Sequence, residues 1–144
     1  MKIWNFGIIG AGLIADFHAK AIQSLNNAEL IGLCGTNQEK AQKLAEKYNC
    51  KKYSNHSEIL NDDSIDVVTI ATPSGAHMEP AVEAARQGKH VICEKPLEIT
   101  LERIDEMIQA HNTAGTSLGG IFNFRFEDTT EVIKKAVDRP VEPL

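Results

Sequence analysis

The chain has 144 residues, of which 42% are hydrophobic and 24% charged, so it is long enough for one compact domain and excludes extended disorder. Its net charge of −5 and the lack of a basic stripe argue against nucleic acid as a partner. No apolar run approaches the roughly 20 residues of a membrane span, and the first residues are too short and broken for a signal peptide, so we expect a cytoplasmic protein with no membrane partner.

Strand-like apolar runs alternate with helical stretches along the whole chain. The predicted strands are 3–9, Ala28–Cys34, 51–53, 65–71, His90–Cys93 and 118–122. The predicted helices are 13–26, Gln38–Tyr48, 57–60, 76–87, 101–111 and Asp128–Val137. This alternation is typical of βαβ units. It predicts an α/β fold with three layers, a Rossmann-type doubly wound parallel sheet of about six strands.

Four predicted helices carry end signals. Asn37 and Thr100 are expected N-caps, and Gly88 is expected to close the helix before it. Asp128 and Glu131 have the spacing of a capping box, which places the start of the last helix at Asp128.

Gly10, Gly12 and Ala15 form a GxGxxA pattern directly after the first strand. Gly10 permits a tight turn, Gly12 lets a pyrophosphate approach the backbone, and Ala15 lets the helix pack closely on the strand. The free N–H groups at that helix start, which includes Leu13 and Ile14, would bind the phosphates. A dinucleotide is the favoured ligand. S-adenosylmethionine is the main competing ligand, and a tight turn without a ligand is the remaining alternative.

The end of the second strand reads Cys34-Gly35-Thr36-Asn37 and lacks the acid that usually accepts the adenosine ribose hydroxyls in NAD-specific sites. The Thr36 hydroxyl, the Asn37 amide and Lys40 could instead meet a 2′-phosphate. NADP(H) is therefore slightly favoured over NAD(H), and Gly35→Asp is expected to shift the preference towards NAD. Ordinary turn and cap chemistry is the alternative role for Thr36 and Asn37.

Three further segments follow predicted strand ends, where ligands bind in open α/β sheets. They are Ala71-Thr72-Pro73-Ser74-Gly75-Ala76-His77, Cys93-Glu94-Lys95-Pro96-Leu97 and Asn123-Phe124-Arg125-Phe126. Together with GIIGAGLIADFH near the start of the chain, they resemble the Gfo/Idh/MocA oxidoreductases, the glucose–fructose oxidoreductase and inositol dehydrogenase family. The resemblance covers about residues 3–138, and the order and spacing of all four segments agree.

The resemblance implies roles for these strand-end residues. Next to Ala71 at the end of the fourth strand, Thr72, Pro73 and His77 would flank the ribose and pyrophosphate of the cofactor. A helix-start cap is the alternative role for His77. The remaining implied cofactor contacts are Glu94 on the nicotinamide ribose, Lys95 facing the reacting carbon before a cis bond to Pro96, and Asn123 and Arg125 near the nicotinamide or substrate.

Lys95 is the predicted catalytic residue. A lysine at a hydride-transfer site can hold or polarise the substrate oxygen, and a desolvated lysine can exchange a proton near neutral pH. We expect its ammonium to point towards the nicotinamide with Glu94 beside it as a charge partner. A surface lysine before a proline kink is the alternative.

The resemblance implies an NAD(P)-dependent oxidoreductase that transfers a hydride between nicotinamide and a CH–OH group of a sugar, polyol or related small molecule. Residues 1–138 would be its cofactor domain, and residues 139–144 a linker or the end of an expressed fragment. The C-terminal domain, expected to complete the substrate pocket and form any homo-oligomer, would be absent, so this piece alone should be inactive. A non-catalytic dinucleotide sensor or regulator of the same fold is the alternative.

The other histidines and the cysteines indicate no metal site, because none has the spacing of zinc ligands. His18 and His90 are expected to be structural, and His56 and His111 to face solvent. Cys34 and Cys93 are expected to be buried as small apolar side chains.

Overall fold

The computed structural model describes residues 2–138, so the prediction for 139–144 lies outside the described residues. Its elements alternate between strand and helix up to β6. They are β1 (Trp4–Ile9), α1 (Leu13–Gln23), β2 (Ala28–Cys34), α2 (Gln38–Tyr48), β3 (Lys51–Lys52), α3 (His56–Leu60), β4 (Val67–Ile70), α4 (Met78–Arg86), β5 (His90–Cys93), α5 (Leu101–Ala114), β6 (Leu118–Gly120), a 3₁₀ turn (Asn123–Phe126) and α6 (Asp128–Val137). In this described part, no helix is long and apolar enough to cross a lipid bilayer.

The six strands form one parallel sheet in the order β3-β2-β1-β4-β5-β6. The chain moves outwards from β1 in one direction through β2 and β3, then returns to the other side of β1 through β4. The strand order therefore reverses between β1 and β4, and the loops that leave these strands diverge to opposite faces. This confirms the predicted doubly wound parallel sheet.

Apolar clusters cover both faces of the sheet and give the fold its three layers. On one face, Ile8 and Leu33 pack with Ala15 and Ala19 of α1 and with Leu44 of α2. On the other face, the cluster joins β1, β4 and β5 to α4 and α5 through Ile9, Val68, Ile70, Ala81, Ala84, Val91 and Met107. The small alanines let the helices approach the sheet closely, as the sequence pattern requires at Ala15.

Most helix ends agree with the sequence signals. The Asn37 side chain accepts a hydrogen bond from the Lys40 N–H at 2.9 Å, and Thr100 caps α5. Gly88 follows the C-cap of α4 with a φ of +69°.

The capping box predicted at Asp128 is wrong. The N-cap of α6 is Glu127, which makes no side-chain cap hydrogen bond within the described chain. The Thr130 hydroxyl donates to the Phe124 carbonyl at 2.6 Å instead and ties α6 to the 3₁₀ turn. Two helix ends also differ from prediction, because α1 stops at Gln23 and α5 continues to Ala114.

Candidate cofactor-binding site

A cleft of about 600 Å³ lies over the carboxyl ends of β1, β2 and β4. Its lining residues come from the glycine turn and from the segments that follow β2, β3 and β4. They are Ile9, Gly10, Ala11, Gly12, Leu13, Ile14, Cys34, Gly35, Thr36, Asn37, Lys40, Ser54, Asn55, His56, Ala71, Thr72 and Pro73. The structure thus brings together the residues predicted from the glycine turn, the β2 end and the β4 end as far as Pro73. Ala15 is the exception, because it is fully buried beneath the turn.

The two glycines of the turn have different constraints. Gly10 has a φ of +132°, and a Cβ atom there would lie 2.5 Å from the carbonyl oxygen of Ala71. Glycine is therefore required for the close approach of β1 to β4. Beyond the two chain neighbours of Gly12, no described residue has an atom within 4 Å of the position that a Cβ would occupy. The backbone at Gly12 consequently faces open space in the cleft.

Helix α1 begins at this open space without a side-chain cap. Gly12 is its N-cap, and no side chain of the described chain accepts a hydrogen bond from its first turn. The starts of α2 and α3, in contrast, are capped by Asn37 and Asn55. The first N–H groups of a helix have no partner within the helix, and the helix dipole favours an anion there. The start of α1 therefore fits a pyrophosphate.

The end of β2 presents no carboxylate to the cleft. Among the lining residues, all within 2–138, Lys40 is a cation and His56 can become one, whereas Asp and Glu are absent. A Cβ at Gly35 would lie 2.6 Å from the Cβ of Ala11. The proposed Gly35→Asp change is therefore unsuitable, because it would disturb the glycine turn as well as add a charge.

Ser54, Asn55 and His56 line the cleft but were not predicted to do so. They follow the short strand β3, so the rule that ligands bind beyond strand ends could have found them. The prediction that His56 faces solvent is incomplete. Its side chain is 43% exposed, lines the cleft and lies 3.3 Å from a Glu83 carboxylate oxygen.

Glu94 and Lys95 follow β5 and lie outside the lining of this cleft. The Glu94 carboxylate lies 3.0 Å from Nε2 of His18 and accepts a hydrogen bond from the Lys95 backbone N–H at 3.1 Å. The expected charge pair between Glu94 and the Lys95 ammonium is therefore wrong, since His18 of α1 is the partner. Lys95 is exposed, and its Nζ makes no ion pair within residues 2–138. The Lys95–Pro96 bond is cis, as predicted.

His77 does not line the cleft. Its side chain is buried, and its ring nitrogens contact backbone carbonyls of Thr72, Pro96 and Leu97 at 2.9–3.2 Å. These contacts lie within the protein, so the direct cofactor contact expected of His77 does not fit its position. The histidine instead supports the backbone of Thr72, which does line the cleft.

Asn123 and Arg125 lie in the exposed 3₁₀ turn beyond β6 and do not line the cleft. Because β6 is the edge strand and β5 separates it from β4, this turn follows a strand remote from the glycine turn. The structure therefore does not bring these two residues to the phosphate side of the site.

The remaining histidines have structural positions. His90 packs edge-on against Trp4 with ring centroids 5.7 Å apart, and its Nδ1 accepts from the Ser117 N–H. His111 was expected to face solvent but is only 2% exposed, because it lies on the same buried face of α5 as Met107. Its Nδ1 lies 2.7 Å from the Thr116 hydroxyl, and burial lowers the pKa of its imidazole.

Cys34 and Cys93 are buried, as predicted. Burial raises the pKa of the Cys34 thiol to about 11 and that of the Cys93 thiol to about 12. Both side chains therefore stay protonated near neutral pH and behave as small apolar groups.

The sequence matches a known protein family and is similar to individual dehydrogenases. Residues 4–120 match the Gfo/Idh/MocA family, described as an oxidoreductase family with an NAD-binding Rossmann fold. The chain is 34% identical over 133 residues to glucose-6-phosphate 3-dehydrogenase of Bacillus subtilis, which covers 92% of this chain and 37% of the relative. It is 31% identical over 135 residues to myo-inositol 2-dehydrogenase of Thermotoga maritima, which covers 93% of this chain and 40% of the relative.

The fold is also similar to that of a dehydrogenase of known structure. The WlbA dehydrogenase from Bordetella pertussis, crystallised with NADH and UDP-GlcNAcA, has a TM-score of 0.91 and 33% identity. The match covers 95% of this chain and 40% of that one. The chain therefore spans between 37% and 40% of the length of these three relatives.

Proposed function

Because the chain belongs to the Gfo/Idh/MocA oxidoreductase family, whose matched region is an NAD-binding Rossmann fold, we propose that it is the cofactor-binding part of an NAD(P)-dependent oxidoreductase. The proposed reaction transfers a hydride between nicotinamide and a CH–OH group of a sugar, polyol or related small molecule. The observation that carries the proposal is the uncapped start of α1, which faces open space beside Gly12 in the cleft. A ligand with phosphates satisfies those N–H groups.

The residues around the cleft suggest where each part of the dinucleotide binds. The pyrophosphate is assigned to the N–H groups at Leu13 and Ile14, above the turn formed by Gly10 and Gly12. The adenosine end is assigned to the β2 side, where Thr36 and Lys40 line the cleft. This leaves the nicotinamide for the β4 and β5 ends, the side that carries Thr72, Pro73, Glu94 and Lys95.

Lys95 and Glu94 are the proposed functional groups on the nicotinamide side. The bound cofactor supplies or accepts the hydride. The exposed Lys95 ammonium is free to donate a hydrogen bond to the substrate oxygen and to stabilise its developing charge. Glu94 is held by His18 and by the Lys95 N–H, and its remaining lone pairs can accept from a ribose hydroxyl. Asn123 and Arg125 are proposed only as groups on the substrate side.

Lys95 also favours an enzyme over a sensor, because phosphate and ribose binding does not require an unpaired lysine beside the nicotinamide. In a full-length enzyme that carries this domain, we expect Lys95→Ala to lower kcat far more than it weakens cofactor binding. Steady-state kinetics with sugars and polyols, together with a cofactor titration, separate the two effects. A variant that keeps its kcat and loses only cofactor affinity would assign Lys95 to binding.

We further propose that NADP(H) binds at least as tightly as NAD(H). The support is a cleft lining without a carboxylate but with Lys40 and His56 near the Thr36 and Asn37 loop. Thr36 is exposed and replaces Gly35 as the position to test. Thr36→Asp should shift preference towards NAD(H), because a carboxylate repels a 2′-phosphate, whereas Thr36→Asn should leave the preference unchanged. Tight NAD(H) binding with undetectable NADP(H) binding by the unchanged chain would contradict this proposal.

The function is tested on the chain itself by calorimetric titration with NADH, NADPH and S-adenosylmethionine. We expect binding of a dinucleotide, no binding of S-adenosylmethionine and no turnover of sugars or polyols. Turnover requires a substrate held near the nicotinamide, and loss of such positioning removes orders of magnitude in rate. Binding of S-adenosylmethionine alone would overturn the proposed function, and ordinary dehydrogenase rates would overturn the expectation that this piece is inactive.

A further inference from the structure

Two neighbouring loops carry the proposed cofactor and substrate contacts. The loop from β4 to α4 places Thr72 in the cleft, and the loop from β5 to α5 carries Lys95. Their strands pair directly, with Ile70 opposite Cys93 at the ends from which the loops leave. The relative position of the two loops therefore sets the position of Lys95 with respect to the cleft.

His77 joins these loops through both of its ring nitrogens. Nε2 lies 2.9 Å from the carbonyl oxygen of Thr72, in the first loop. Nδ1 lies 2.9 Å from the carbonyl oxygen of Pro96 and 3.2 Å from that of Leu97, in the second loop. Carbonyl oxygens only accept hydrogen bonds, and a neutral imidazole has a single N–H. Both loops are bonded at once only when the ring is an imidazolium with two N–H donors.

A buried carboxylate binds the backbone N–H of His77. The Glu98 side chain is 0% exposed, and its Oε2 accepts from the backbone N–H groups of His77 at 3.2 Å and Met78 at 3.0 Å. Its Oε1 accepts from the Ile99 N–H at 2.8 Å. Burial opposes ionisation of Glu98, but these backbone donors and Arg103 keep the pKa of its carboxyl below the ordinary value. Glu98 thus caps α4 as an anion.

The other charged groups around His77 form a short network through Glu98. Arg103 of α5 lies 3.2 Å from the same Glu98 oxygen. Its guanidinium also contacts both carboxylate oxygens of Glu79 on α4, at 2.8 and 2.9 Å. Glu98, Arg103 and Glu79 together carry one net negative charge, which an imidazolium at His77 neutralises.

We propose that His77 is a buried imidazolium and that His77 and Glu98 form a clamp that positions the Lys95 loop against the Thr72 loop. Both are positioning residues, since they act on the cofactor and substrate only through these loops. The importance of the loops rests on the proposed function, whereas the protonation of His77 does not. When His77 loses a proton, one ring nitrogen presents a lone pair to a carbonyl oxygen, and one loop is released.

The protonation state is measured directly by two-bond ¹H–¹⁵N correlation spectra of the ¹⁵N-labelled chain, with His77→Gln to assign the signal. Near pH 7 we expect both His77 nitrogens to have imidazolium shifts. Glu98→Gln keeps one oxygen acceptor for the backbone but loses the second and removes the negative charge, so it should convert His77 to the neutral form. A neutral His77 in the unchanged chain would overturn the proposal.

The positioning role is measured by hydrogen exchange of peptides that contain residues 71–77 and 94–100. His77→Phe keeps a ring but no donor, and we expect faster exchange in both loops with unchanged exchange in α1. His90→Phe is the matched control, because His90 lies at the other end of β5 and contacts neither loop. Unchanged loop exchange in His77→Phe would overturn the clamp.

Titration with the dinucleotide then measures whether the clamp affects cofactor affinity. Loss of the ring hydrogen bonds to both loops should weaken binding by at least about three- to tenfold in His77→Phe, with no change in His90→Phe. If His77→Phe does not fold, Glu98→Gln provides the same comparison. A chain that binds no dinucleotide at all contradicts the proposed function, but the spectra and exchange data still decide whether the clamp exists.

Discussion

At the scale of single residues, the two glycines of the turn serve different purposes although the sequence pattern treats them alike. The backbone of Gly10 has a conformation that favours glycine and lies against the Ala71 carbonyl. Gly12 has ordinary extended backbone angles and faces open space. Folding therefore requires a glycine at Gly10, while the lack of a side chain at Gly12 leaves the cleft open for the proposed phosphate contact.

We expect Gly12→Ala to keep the free energy of unfolding within about 1 kcal/mol of that of the unchanged chain, because the new methyl group meets no protein atom. The same methyl group occupies the approach of the phosphates, so dinucleotide affinity should fall at least about tenfold, or about 1.4 kcal/mol. Urea unfolding and calorimetric titration measure the two effects.

Gly10→Ala is the matched comparison, and it should lose about 1–3 kcal/mol of stability through backbone strain and the contact with Ala71. Equal loss of stability in both variants would show that the turn is purely structural.

Because His111 is buried, we expect the free energy of unfolding to depend on pH. Burial lowers its pKa in the folded chain, so the unfolded chain binds a proton at a higher pH than the folded one. The contribution of His111 is fully present above the unfolded value of about 6.5 and is lost as the pH falls below it. Urea unfolding between pH 5 and pH 8 should show a steeper acidic loss for the unchanged chain than for His111→Gln. If the free energy of unfolding depends on pH in the same way in both proteins, protonation of His111 does not destabilise the folded state.

At the scale of elements, the helices around the cleft differ in how their first turns are satisfied. The starts of α2, α3 and α5 are capped by their own Asn37, Asn55 and Thr100, whereas α4 is capped by the distant Glu98. The start of α1 has no side-chain cap from residues 2–138. The self-capped helices are stabilised by local contacts, and the first N–H donors of α1 are the ones that we propose for a phosphate because they face the cleft.

We expect Asn37→Ala to destabilise the fold by about 1 kcal/mol, because Lys40 N–H loses its acceptor at the start of α2. Asn37→Ser, which retains a capping oxygen, should recover most of this loss. Thermal unfolding followed by circular dichroism measures the series. If alanine and serine are equivalent, the cap hydrogen bond contributes nothing to stability.

At the scale of the whole molecule, the cleft joins both halves of the sheet, since its lining comes from the turns after β1, β2, β3 and β4. A ligand bound there contacts elements that pack on both faces. Unfolding would separate these elements and release the ligand. Binding should therefore stabilise β1–β4 and the helices that pack on them against unfolding.

We expect NADH or NADPH at one hundred times its Kd to stabilise the chain by about 2.7 kcal/mol, which is several degrees in Tm for a domain of this size. Differential scanning calorimetry over a series of cofactor concentrations checks the expected logarithmic dependence. Gly12→Ala is the control and should show a much smaller shift at the same concentration. A Tm that is independent of cofactor would contradict dinucleotide binding.

The order of the elements and most of the cleft follow from local sequence signals. Alternating strands and helices, together with the glycine turn, were sufficient to predict a doubly wound parallel sheet and the lining at the ends of β1 and β2, while the family resemblance indicated Thr72 and Pro73 at the end of β4. These features depend on residues that are close in sequence, such as Gly10 and Gly12 or Asn37 and Lys40. Local geometry therefore sets the turns and helix starts, whereas the close approach of Gly10 to Ala71 depends on the pairing of β1 with β4.

Only the tertiary structure decided which side chains meet across the sheet. The pairing of His18 with Glu94, the burial of His77 and His111, and the clash at Gly35 involve contacts between elements that no periodicity encodes. His77 shows the physical reason. Its position at a helix start suggests either a ligand contact or a cap, and only the packing of the next loop against its ring decides the outcome. Sequence determined the scaffold and the glycine turn, while the partners of each polar side chain depended on how the loops pack together.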